Sequence, residues 1–93
     1  MTAETLTSKY IASAEQVMSK MQKTRGSLTV DSEGIQTLIE YAAAYLDDAK
    51  YYKDQKRFET SLTSVAYCEG LLEALRLLGA VKFEWPTNQR EQE

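Results

Sequence analysis

The sequence predicts an all-α fold, an up-down-up three-helix bundle with a short extended C-terminal tail, and three observations lead there. Apolar residues recur at steps of three and four along three successive stretches, which lines up one face of a helix in each. Glycines at 26 and 79 follow two of those stretches, where a left-handed residue ends a helix well. The links between the stretches are short and polar, and short links set neighbouring helices antiparallel.

In the first stretch the stripe runs Leu6, Tyr10, Ala14, Val17, Met18 and Met21. Lys23 and Arg25 then place cations where a helix C-terminus favours them, so the first helix is expected to stop at Gly26. "SLTVDSEG" is the connection, with Asp31 or Ser32 as the N-cap of the next helix because their side-chain oxygens accept from unpaired first-turn amides. The second helix carries Ile35, Leu38, Ala42, Tyr45, Ala49 and Tyr52, widened by Ile39 and Leu46. "KDQK" interrupts it. Phe58, Leu62, Val65, Leu72 and Leu75 then resume the pattern, flanked by Ala66, Cys68, Leu71 and Leu78, a breadth that makes the third helix the most buried of the three.

Residues 1–80 are therefore expected to share one core. In 81–93, "AVKFEWP" alternates Val81, Phe83 and Trp85 with charged residues, an extended pattern that Pro86 ends, and "TNQREQE" reads as a disordered polar tail.

Composition narrows function mainly by exclusion. A chain of 93 residues with 43% hydrophobic and 27% charged residues makes one folded domain. One cysteine forms no internal disulfide, and without histidine there is no zinc signature, which together suggest a cytoplasmic protein without a cofactor. No apolar run is long enough for a signal peptide or a membrane span. A net charge of −3 disfavours broad attraction to nucleic acid or acidic lipid, leaving a protein partner or self-association.

No candidate chemistry outweighs its packing explanation. Tyr41, Tyr45, Tyr51 and Tyr52 recur at helical spacing, which sets rings at a core edge with hydroxyls toward water. Asp47, Asp48, Glu69 and Glu73 resemble a magnesium-binding carboxylate set, but Glu73 with Arg76 and Lys50 with Asp54 have the spacing of surface ion pairs. Cys68 has no histidine base and sits on the most apolar helix, as a packing residue does. Gly70 inside a helix points to a close crossing by another backbone or ring.

Two surfaces remain as candidate interaction sites, and no catalytic, cofactor or metal residue is expected. Lys50, Lys53, Lys56 and Arg57, interleaved with Tyr51, Tyr52 and Phe58, form a basic-aromatic cluster, the one place where a nucleic acid or phosphate would dock. Trp85 with Phe83 and Val81 is expected to cover the open end of the bundle or, alternatively, to dock onto a partner, since Phe83 and Trp85, like the outer Tyr41, are aromatic anchors of the kind found in protein interfaces.

"AKYYKDQKRFETSL" is similar to the turn of a tetratricopeptide unit, with Ala49, Tyr51, Tyr52, Phe58 and Ser61 at comparable places. Such units need about three copies to bury a continuous core, and the first helix does not repeat the pattern. The run "YAAAYLDDAKYYKDQKRFETSLTSVAYCEGLLEALRLLG", with a "GS" upstream, resembles the archaeal family called domain of unknown function 357 along its whole length. The family typically carries a glycine and an acidic residue at the turn, where this chain has "KDQKR". That resemblance implies a three-helix bundle from an archaeal cytoplasm, and it implies no activity or cofactor.

Overall fold

The computed structural model describes residues 2–24 and 26–86. The order of elements is α1 (Ala3–Lys20), α2 (Ser32–Asp54) and α3 (Phe58–Leu77), with no strand among the described residues. The chain is all-α with three helices, as the periodicity predicts.

Each helix start has a local cause. Thr2 caps α1 by accepting from the Thr5 amide at 3.1 Å, and Asp31 caps α2 through Oδ1, which accepts from the Gly34 amide at 2.7 Å. Of the two N-cap candidates the aspartate takes the role. Arg57 precedes α3 without a side-chain cap.

The ends differ from expectation in one place. α1 stops at Lys20 with Met21 as an extended C-cap, so Gly26 (φ +79°) bends the connection rather than ending the helix. Arg25 lies outside the described residues. α2 and α3 end alike. After α2, Lys56 takes a left-handed φ of +62° and donates to Lys53 O, while the Arg57 amide donates back to Tyr52 O. After α3, Gly79 (φ +77°) donates to Arg76 O and the Ala80 amide to Leu75 O. Both are Schellman closures, one built on glycine and one on lysine.

Packing between helices is confined to α2 and α3. Three residues, Gln55–Arg57, separate them, too few for anything but an antiparallel hairpin. Its contact line is narrow: Ala42 and Ala49 from α2 are buried with Cys68 and Leu75 from α3, so small side chains let the rods approach. Across it the Ser61 hydroxyl donates to Ala49 O at 2.6 Å, and the Tyr45 and Tyr67 rings meet at 4.3 Å.

α1 packs on neither neighbour and has no buried residue. The core expected to be common to all three helices lies in the hairpin alone. The reason is the early stop at Lys20, which lengthens the α1–α2 connection to the eleven residues 21–31 and removes the short link that forces antiparallel contact. Tyr10, Ile11, Val17, Met18 and Met21 are each more than half exposed. Nor is α3 buried all round, since Leu62, Tyr67, Leu77 and Leu78 flank its packed line in the open.

Beyond α3 the chain bends at residue 81, has no regular secondary structure through residue 86, and folds back. The Trp85 indole donates to Glu73 Oε1 at 3.0 Å, and its ring stands edge-on to Phe83 at 4.9 Å. Gly70 faces open space beside them, with no atom within 4 Å of where a Cβ would stand. The close crossing inferred from that glycine is not there. The tail "TNQREQE" lies outside the described residues.

Candidate interaction surfaces

The basic-aromatic cluster is split by the helical turn. Lys50 and Lys53 lie on α2 and Lys56 and Arg57 in the corner, all exposed. The Arg57 guanidinium sits over the Tyr52 ring at 5.0 Å, and Tyr52 meets Tyr51 edge-on at 5.3 Å. Lys56, Arg57 and Phe58 line one open depression of about 400 Å³ together with Glu59 and Thr60. Glu59 offsets part of its positive charge. The corner thus gathers Lys56, Arg57 and Phe58, while Lys50 and Lys53 stand on the α2 shaft.

Among the aromatic anchors, Tyr41 is exposed on α2, whereas Phe83 and Trp85 are half-buried against each other. Trp85 shares Glu73 with Arg76, whose guanidinium donates from Nε at 2.6 Å and from a terminal nitrogen at 2.9 Å. That doubly held carboxylate keeps the Arg76 pKa above its ordinary value, through the hydrogen bond first and its charge second. Trp85 and Arg76 therefore brace α3 from the same oxygen.

The carboxylates do not assemble. Among the described residues no three acidic or cysteine side chains converge where an ion would bind, so the magnesium set has no geometry to support it. The buried Cys68 thiol is pushed up in pKa, by burial first and by the neighbouring Glu69 charge second. A thiol held protonated is a poor nucleophile. No helix among the described residues is long and apolar enough to cross a membrane.

The surface that periodicity did not single out is the α1 stripe. Its residues are legible as apolar, but their exposure depends on where α1 stops, and "SKMQKTRG" contains no breaker before Gly26. Val17 and Met21 line a depression of about 320 Å³ with Gln16 and Lys20.

The described residues form a helical hairpin with a separate amphipathic helix, a small all-α protein. The sequence model of a family described as Protein of unknown function (DUF357) matches residues 9–81. The chain belongs to that family, as the run from Tyr41 to Gly79 implied. No curated protein and no solved structure matches it.

Proposed function

We propose that this chain is a non-enzymatic interaction module of an archaeal cytoplasm, acting through apolar contacts made by α1 and the open flanks of the hairpin. One observation carries the reading: α1 forms a capped amphipathic helix whose whole apolar stripe is uncovered. In proteins most helical stability comes from tertiary packing of an amphipathic face rather than from propensity. Exposed apolar surface on this scale is typical of interaction sites. Cytoplasmic placement rests on the single unpaired cysteine, and archaeal origin on the family resemblance. A photo-crosslinking residue placed at Val17 in living cells should form polypeptide adducts that the same probe at Glu15 does not. Equal or absent adducts at the two positions overturn the reading.

An alternative is binding of nucleic acid or phosphate at the corner, favoured by Phe58, more than half exposed, lining one depression with Lys56 and Arg57. Its mark is steep salt dependence. Titrating nitrogen-labelled protein with single-stranded RNA at low salt should shift amides of residues 50–58, and unmoved amides there eliminate this alternative.

A further inference from the structure

The interaction-module reading leaves the partner open, and the inference here rests on that reading. Two uncovered apolar faces belong to the same chain. One is the α1 stripe. The other lies along the hairpin. Since Tyr45 and Tyr67 meet on one flank, the helical period puts Ile39 and Leu46 of α2 beside Leu62, Val65 and Leu72 of α3 on the opposite flank. All five are half-buried or exposed, so that flank is an incompletely covered apolar face on which a third helix could pack.

The surface area indicates how much is left to cover. The chain exposes 8448 Å², against about 5,500 Å² for a folded monomer of its 10.6 kDa. The excess is about 2,900 Å² per chain. Two copies each covering about half of it would bury about 3,000 Å² in all, within the range of permanent dimers.

We infer that the occupant is a second copy of this chain: α1 of each protomer packs on the Ile39–Leu46–Leu62–Val65–Leu72 face of the other. Residues 21–31 carry α1 away from its own hairpin instead of turning it back, which is the geometry of an exchanged element. The exchange is reciprocal about a two-fold axis, so both uncovered faces of each chain are satisfied by identical contacts.

The test uses the full chain with the photo-crosslinking residue at Val17, as equal amounts of nitrogen-14 and nitrogen-15 copies unfolded and refolded together. Sedimentation equilibrium should give twice 10.6 kDa, and about half of the crosslinks from α1 to α2 or α3 should join a light to a heavy peptide, as random pairing requires. Val17→Glu with Met21→Glu should weaken association by about thirtyfold or more. Both side chains are solvent-exposed in the free helix, and far-UV dichroism checks that the hairpin stays folded. Crosslinks that are always within one isotope mean α1 closes on its own hairpin and overturn the exchange. A monomer without α1–hairpin crosslinks also overturns it, while the interaction-module reading then stands or falls separately on the Val17 adducts formed in cells.

Discussion

The Ser61 hydroxyl of α3 donates to the Ala49 carbonyl of α2 at 2.6 Å, a side-chain bond between the two helices of the hairpin. That carbonyl already accepts within its helix, so the serine supplies a second donor and ties the rods at a fixed height. Ser61→Ala should cost about 1 kcal/mol in urea melts. Ala49→Leu, which adds volume where the helices nearly touch, should cost about 1–3 kcal/mol by the same measurement.

Lys56 bears a backbone conformation that glycine adopts without strain. A non-glycine residue there costs roughly 1–2 kcal/mol, and glycine returns part of it as unfolded-chain entropy. Lys56→Gly should therefore stabilise the chain by about 0.5–1 kcal/mol, seen as a higher urea midpoint with an unchanged slope.

Trp85 reports on the folded-back segment, since it is the sole tryptophan. Glu73→Ala removes the acceptor it shares with Arg76. Its fluorescence should shift to the red and stability fall by about 1 kcal/mol, with helix content unchanged by far-UV dichroism.

Cys68 links stability to alkaline pH. Its folded pKa is raised above the ordinary thiol value, so the unfolded chain loses that proton first as pH rises. The contribution is fully present below the ordinary thiol pKa and is lost as pH climbs through the raised one. Cys68→Ala should lower stability at pH 7 by about 1 kcal/mol for lost packing, yet show a flatter decline above the ordinary thiol range in urea melts.

Much of the fold was legible because its causes are local. The step of three and four names all three helices, Asp31 announces α2, and Gly79 ends α3. What was not legible depends on absent neighbours. α1 stops at Lys20 without a breaker, and a periodic stripe looks the same whether or not another surface covers it. Gly70 misled for the opposite reason, since a glycine in a helix implies a tight contact only when something stands there. Gly70→Ala should accordingly raise stability by about 0.5–1 kcal/mol through helix propensity, checked by thermal melting. The corner cations were visible as a cluster, but which of them meet was settled by Lys56 turning left-handed, a conformation no lysine advertises.

The stand-off of α1 also bears on the order in which the molecule comes into being. Of the three rods it leaves the ribosome first, while the hairpin, made of contacts close in sequence, closes quickly once α3 has emerged. Until then a sticky rod waits bare on the nascent chain. Crowded polysomes would bring several such rods together, where exposed apolar surface is prone to aggregate.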